Sequence, residues 1–342
     1  MKDKGTKTIE TERLILRKFT NDDICSAYRN WTSDELVTEY LRWPTHKDIS
    51  VTDRVINDWI ASYEDPAFYQ WAIELKRIGE PIGTISVVEM NEKLEIVHIG
   101  YCIGSKWWHQ GITSEAFIAI ITFLFEEVGV NRIESQHDPN NPHSGNVMKK
   151  CGLKYEGTLR QADYSNQGIV DACMYSLLRE EYFNRKYEFQ LADYDDIFEI
   201  VSLYHRLIGT PGCTWDLDYP SKETAENDIK NDWLYTLKKN GKIVAVVSVG
   251  DFDELRDLQW KPNKPCELAR IGVDPSFQKQ GIGTIMLKNI IRIVKEKGYD
   301  GISMLVSKTN TAALALYEKN GFERCGEVFR FDNDFYCYQI TF

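Results

Sequence analysis

The feature that most constrains this sequence is that it repeats itself. Asn141-x-x-Ser144 followed by Gly152-Leu153-x-x-x-Gly157 returns as Asn310-x-x-Ala313 followed by Gly321-Phe322-x-x-x-Gly326, in the same order and spacing. The openings agree too: Thr20-Asn21-Asp22-Asp23-Ile24 and Asp193-Tyr194-Asp195-Asp196-Ile197 are both acidic helix starts behind a short apolar strand. A repeat half the length of the chain is far longer than a solenoid unit and marks a duplicated domain. With 342 residues the chain can fill two cores, whereas single cores stop growing near ~250–300 residues. The expected domains are residues 1–184 and 185–342, joined just after the polar run Arg179-Glu180-Glu181.

Each half then reads as strand, glycine turn and helix. In the first, residues 96–103 are a strand, Gly111 sits in the turn, and Phe117, Ile120, Ile121, Leu124 and Val128 recur at helical spacing up to Gly129. In the second, residues 267–273 are a strand, and Leu287, Ile290, Ile291 and Val294 share a helix face that ends at Gly298. Short strands at 132–136 and 302–306 follow, each leading to another helix. The class is α/β.

An excess of 52 acidic over 41 basic residues, net charge -11, argues against a partner rich in phosphate such as nucleic acid and suits a cationic substrate. The 8 cysteines include no C-x-x-C pair, which fits reduced thiols in a cytoplasmic protein; no metal is called for. The longest apolar stretch, Phe117 to Phe125, falls short of the ~20 residues that cross a bilayer, so the expectation is a soluble, unprocessed chain with no membrane partner. Oligomeric state stays open.

The turn of the second half, Gln278-Lys279-Gln280-Gly281-Ile282-Gly283-Thr284, runs straight into a helix. A helix start offers unpaired N–H groups and partial positive charge, and glycines let the backbone curl around a pyrophosphate. A P-loop would need G-x-x-x-x-G-K-[ST], and a Rossmann turn a third glycine where Met286 stands; neither pattern is met. A phosphate-bearing carrier is one reading, a packing turn the other.

Gln278-x-x-Gly281-x-Gly283 resembles the Q/R-x-x-G-x-G/A coenzyme A signature of the GNAT acetyltransferases, and Asn310-x-x-Ala313-x-x-x-Tyr317 with Lys319-Asn320-Gly321-Phe322 resembles that family's next segment. The first half resembles the branch that acetylates ribosomal-protein N-termini, through Glu12-Arg13-Leu14-Ile15-Leu16-Arg17, Gly100-Tyr101, Trp108-x-x-Gly111-x-x-Ser114-Glu115-Ala116, Asn141-Pro142-x-Ser144 and Lys150-x-Gly152-Leu153. It departs at Trp108, where Gln or Arg is usual, and at Thr113, where Gly or Ala is usual. The resemblance implies two tandem domains, each a mixed, mainly antiparallel twisted sheet flanked by helices. It also implies acetyl-CoA as co-substrate, held by Ile271, Val273, Gln278, Lys279, Gln280, Gly281, Ile282, Gly283, Thr284, Asn310 and Ala313 in the second half. In the first half the corresponding residues are Ile103, Trp108, Gly111, Thr113, Ser114 and Asn141.

Acetyl transfer from a thioester to an amine needs a deprotonated nitrogen, alignment, a donor for the developing oxyanion and a proton for the leaving thiolate. Glu267 is the candidate base; strand alternation places it on one face with Ile271 and Val273. A carboxylate paired with Lys264 is its alternative reading. The resemblance gives the Val273 N–H to the thioester carbonyl, Asn310 to the pantetheine arm and Tyr317 to the thiolate as acid; a core aromatic is the other reading of Tyr317. In the first half Val97 falls where Glu267 stands and Met148 where Tyr317 stands. There the branch's serine acid corresponds to Ser144. Glu95 lies on the face of Val97 and reads as a solvated strand-edge charge, while His98 points the other way and reads as packed or solvent-facing. Cys266 as a covalent nucleophile has no histidine near it in sequence, so direct transfer is expected.

On the acceptor side, Asp251, Asp253, Glu254 and Asp257 beside Trp260 form either an acidic lip for a polycation or a solvated hairpin. Trp31, Trp43, Trp59 and Trp71 divide between a cleft and the core. The expected reaction is acetylation of a primary amine, on a polyamine, an aminoglycoside, a protein N-terminus or a lysine, most surely by the second domain. The alternatives are a first half that only positions substrate or dimerises, and a chain that senses acyl-CoA without chemistry.

Overall fold

The sequence repeat becomes a repeat of sheet topology. The computed structural model describes residues 1–342 and divides by its internal contacts into Met1–Tyr182 and Phe183–Phe342. The first unit holds strands β1 (Ile9–Glu10), β2 (Leu14–Arg17), β3 (Gln70–Leu75), β4 (Glu80–Asn91), β5 (Ile96–Ile103), β6 (Arg132–His137), β7 (Lys154–Ser165) and β8 (Gly168–Leu178). They lie in the order β1-β2-β3-β4-β5-β6-β8-β7. Its helices are α1 (Ile24–Ala27), α2 (Glu35–Thr38), α3 (Ile49–Ser62), α4 (Ile112–Phe123) and α5 (Pro142–Lys150), and α6 (Arg179–Lys186) runs across the division.

The second unit has β9 (Glu188–Leu191), β10 (Leu234–Lys239), β11 (Lys242–Gly250), β12 (Pro265–Val273), β13 (Gly301–Ser307), β14 (Glu323–Arg330) and β15 (Asn333–Thr341). Its helices are α7 (Ile197–Leu207), α8 (Lys222–Lys230), α9 (Ile282–Glu296) and α10 (Thr311–Lys319). Read from β9, the order β9-β10-β11-β12-β13-β15-β14 matches the first sheet strand for strand once β1 is set aside. Every pairing is antiparallel except β5 with β6 and β12 with β13. Those two parallel pairs are bridged by α4 and α9, the crossover that parallel neighbours require.

The matching openings fold alike. Asp23 accepts the Thr20 backbone N–H at 2.8 Å and Asp196 that of Asp193 at 3.3 Å, closing the first turn in each half. Both carboxylates also pair with a strand cation, Arg17 at 2.7 Å and Lys238 at 2.7 Å. Phe117, Ile120, Ile121, Leu124 and Val128 are all buried, as are Leu287, Ile290 and Val294; Ile291 is only half-buried, and Met286 fills the core instead. Trp31 and Trp71 belong to the core. No helix is long and apolar enough to cross a membrane.

Candidate active site

In each half the central parallel strands pair for three rungs and then separate. The rungs are Ile96–Arg132, Val97–Ile133 and His98–Glu134 in the first unit, and Pro265–Gly301, Cys266–Ile302 and Glu267–Ser303 in the second. Past the last rung the backbone edges of β5 and β12 are open on that side, and the glycine loop lies at the far end of the same strands.

The two loops have one conformation. His109 and Lys279 sit at φ 60 and 61, and Gly111 and Gly281 at φ 73 and 83, each glycine capping the helix that follows. Alternating left-handed residues at a helix start aim successive N–H groups at one point, an anion nest. The side chain that opens each loop folds back on the strand it left: Trp108 Nε1 donates to the Ile103 carbonyl at 2.9 Å, and Gln278 Nε2 to the Val273 carbonyl at 3.1 Å. The indole therefore makes the bond that the amide makes, which accounts for the departure at Trp108. A Cβ on Gly111 would lie 3.4 Å from Lys150 Nζ and 3.8 Å from an Arg13 guanidinium nitrogen, so two cations flank the nest. Amides, helix start and flanking cations suit a diphosphate group.

The first unit holds two adjoining cavities. One, of about 660 Å³, is bordered by Ile103, Trp108, Gly111, Thr113, Ser114, Asn141 and Ser144, bringing together every cofactor residue expected in this half. The other, of about 380 Å³, is bordered by Trp43, Trp59, His98, Gln136, Asp138 and Asp163. Tyr101, Cys102, Asn141 and Ser144 line both. Ser144 stands in the first turn of α5, capped by Asn141, which accepts its N–H at 3.3 Å. The Tyr101 phenol is 2.9 Å from Ser144 Oγ, and burial raises it above the ordinary tyrosine range, so it stays protonated. Sequence reasoning quoted Tyr101 only as part of a resemblance; its contact with Ser144 links β5 to α5 and has no local signature.

In the second unit Asn310 caps α10 by accepting the Ala313 N–H at 3.0 Å, as Asn141 does in the first. Tyr317 lies buried on α10, its ring 5.6 Å from Phe322 and 6.3 Å from Tyr338, with burial raising its phenol. It packs as a core aromatic, and its phenol keeps its proton at neutral pH. Glu267 Oε1 accepts the Leu255 N–H at 3.2 Å, not the Lys264 ammonium. Burial, reinforced by Glu254 and Asp253 against that hydrogen bond, raises its carboxyl above the usual range. Beside it on the last rung, Ser303 Oγ is buried with no hydrogen-bond partner.

Two expectations about β-strand faces fail. Glu267 pairs with Gly250 and Val273 with Ala245. Gly250 and Ala245 are an odd number of residues apart on β11 and face opposite sides, so Glu267 does not share a face with Ile271 and Val273. The cause is a bulge: β12 gains one residue at Arg270, φ 52, between the pairs Ala269–Ser248 and Gly272–Val246. Arg270 turns inward and binds Asp228 at 2.9 Å. In the first unit the extra residue is instead Val88, on β4. Glu95 lies outside β5, in the turn before it at φ 53, and its carboxylate takes the Met1 ammonium at 2.9 Å, whereas His98 lines the smaller cavity.

The acidic loop of the second half is largely neutralised. Arg256 pairs with Asp253 and lies 3.8 Å from Asp251, Arg330 pairs with Asp257 at 2.5 Å, and Glu254 is 3.9 Å from Arg270. Trp260 Nε1 donates to the Leu255 carbonyl at 3.0 Å and braces the loop.

Residues 13–154 match the family model described as acetyltransferase (GNAT) domain, and residues 174–322 the one described as acetyltransferase (GNAT) family. An uncharacterised N-acetyltransferase of Bacillus subtilis (strain 168) is 31% identical over 50% of this chain and 96% of its own length. Another, from Bacillus licheniformis, is 32% identical over 52% of this chain and 98% of its own. The [ribosomal protein bS18]-alanine N-acetyltransferase of Escherichia coli (strain K12) is 30% identical over 30% of this chain and 64% of its own. The chain therefore belongs to the GNAT acetyltransferase family, two such domains in tandem, with acetyl-CoA as the acetyl donor.

Proposed function

We propose that the chain acetylates a primary amine by direct attack on acetyl-CoA with both substrates bound together, and that each domain, joined at 184/185 within α6, is built for it. The observation that carries this for the first domain is the pair of cavities meeting at Tyr40, Leu41, Tyr101, Cys102, Asn141 and Ser144, one reaching the glycine loop and the other leading away from it; the second domain repeats the loop conformation. A donor in the first and an amine in the second would meet at Ser144. In this reading loop residues 108–114 and 278–284 hold the pyrophosphate. Asn141 and Asn310 take the pantetheine arm, Ile103 and Val273 offer backbone to the carbonyl, and Ala313 and Ile271 line the channel.

Ser144 protonates the departing thiolate in the first domain and Tyr317 in the second, where Glu267 takes the amine proton. A raised carboxyl is suited to that task, because a base near the working pH both accepts and releases protons. Buried cysteines favour direct attack over an acetyl-enzyme: burial pushes Cys102 and Cys266 up to about 12, leaving little thiolate. For the first domain the acceptor we favour is a protein α-amine, as its resemblance through Trp108-x-x-Gly111-x-x-Ser114-Glu115-Ala116 and Asn141-Pro142-x-Ser144 to the ribosomal-protein branch implies.

Calorimetric titration of the intact chain with acetyl-CoA tests the reading, with about two sites expected. One site would reduce one half to a supporting role, and none would refute the reading. Acetylation that survives the combined Ser144→Ala and Tyr317→Phe substitutions at wild-type rate would refute the assigned acids.

A further inference from the structure

His98 and Glu267 occupy the same place in the two halves. Counted along the parallel ladder, each stands on the third and last rung before the strands separate, opposite Glu134 and Ser303. Aligning the halves on their loops hides this, because Arg270 adds a residue to β12 that β5 lacks. Val97, which the loop alignment sets against Glu267, is fully buried on the other face of β5.

We propose that His98 is the general base of the N-terminal domain, taking the proton from the acceptor amine in the smaller cavity. The inference rests on reading that domain as catalytic. His98 lines the cavity that adjoins Ser144 and its ring makes no hydrogen bond to the protein, so a lone pair is available. The competing groups there are engaged. His137 Nδ1 is 2.7 Å from the Asp138 carbonyl, and its Nε2 lies so close under α5 that a Cβ on Gly145 would come within 2.4 Å of it. Asp163 binds Arg42 at 2.9 Å and Gln136 at 2.5 Å.

The charges facing the ring are Glu89 from β4, Glu134 from β6, Asp163 from β7 and Arg42 from the segment after α2. Arg132 neutralises Glu134 at 2.6 Å, and Arg42 reaches both Asp163 and Glu89, the latter at 3.7 Å. Burial outweighs what remains and lowers the imidazole from its ordinary value, so it is an unprotonated base at neutral pH.

The step balances. As the amine nitrogen bonds to the acetyl carbon, it gives one proton to His98. The C–S bond breaks with its electron pair on sulfur, Ser144 supplies the proton that makes the thiol, and the proton on His98 returns to the serine oxygen through solvent.

The test uses the full chain carrying Glu267→Gln and Tyr317→Phe, so that only the N-terminal site turns over. Thiol release from acetyl-CoA is followed with three amine probes: an alanine-N-terminal hexapeptide, spermidine and n-butylamine. Adding His98→Gln should lower the rate about 10²-fold or more and abolish the acidic limb of the pH profile, leaving acetyl-CoA stoichiometry unchanged by calorimetry. His98→Glu should recover part of the rate with the limb moved to lower pH. Unchanged rate and profile in His98→Gln would overturn the base while leaving the domain catalytic. No thiol release from the background chain with any probe would overturn the catalytic reading of the domain, and the base with it. Loss of acetyl-CoA binding in both His98 variants would show a structural residue and also overturn it.

Discussion

Asp228→Ala should be among the most damaging single substitutions in the C-terminal domain, and the reason lies under the β12 bulge. Asp228 and Arg270 have side chains only 1% and 4% exposed, with the carboxylate taking two guanidinium contacts, at 2.9 and 3.2 Å, and the Ser248 hydroxyl at 2.6 Å. Truncating Asp228 leaves a buried cation whose remaining hydrogen-bond partner is Tyr219, at 2.9 Å, and strips Ser248, itself fully buried, of its acceptor. Breaking a buried pair costs ~3–5 kcal/mol. An orphaned buried hydroxyl costs ~1–3 kcal/mol. Because the three groups form one network the terms overlap, and about 4 kcal/mol is the working value. For a domain of this size that corresponds to a fall in Tm of roughly 8–16 °C. Differential scanning calorimetry on the full chain should show it in one transition while the other stays put. Replacing the pair together, Asp228→Leu with Arg270→Met, should recover most of the loss, since apolar substitutes need no counter-ion. A shift in Asp228→Ala worth less than ~1 kcal/mol, the scale of an exposed pair, would refute the reasoning. So would a double variant no better than the single.

Two further outcomes follow from the site. Glu267 has a raised carboxyl in the fold, so the folded state holds its proton over a window above the ordinary carboxylate value. The stability linked to that proton is fully present below the window and is lost as pH rises through the raised value, so Glu267→Gln should gain on wild type across it and then level off; denaturant unfolding at pH 4 to 8 checks this, and a pH-independent difference would contradict it. Trp108→Ala removes the hydrogen bond that closes the first loop, worth about 1 kcal/mol or roughly fivefold in acetyl-CoA affinity at one of the two expected sites, whereas Trp108→Gln should stay within about twofold of wild type because Gln278 makes the same bond; equal losses in both would show that the indole acts otherwise.

What was legible in the sequence was what is encoded locally. Apolar spacing marked α4 and α9, glycines marked the turns, and the repeated Asn-x-x-[Ser/Ala] start marked α5 and α10, because periodicity, left-handed glycines and helix caps need only neighbouring residues. The bulge was not legible. An arginine at φ 52 is held there by an aspartate on helix α8, and nothing in the residues around it announces the extra position. Missing it inverted the faces of Ile271 and Val273 relative to Glu267 and put Val97 where His98 belongs. The tryptophans show the same limit: Trp31 and Trp71 are core while Trp43 and Trp59 border a cavity, a division made by what packs on them. The acidic loop read as a lip because its neutralising Arg330 comes from a hairpin at the other end of the domain.

The bulge on β12 has a counterpart in the first half. There the helix after the loop widens its last turn over Leu124–Val128, so that the Gly129 N–H reaches back to the Leu124 carbonyl at 2.8 Å, whereas Gly298 closes α9 on Lys295 at 3.0 Å. One copy has lodged a surplus residue in a strand and the other in a helix, and the numbering of the two halves slips out of step at Arg270 and back into step at Gly129. Between those points the copies are out of phase. A chimera spliced at the glycine loop would therefore inherit both surpluses or neither, while one spliced before β5 or β12 and after Gly129 or Gly298 would keep its contour length. The interchangeable part of this duplication is the whole strand-loop-helix segment.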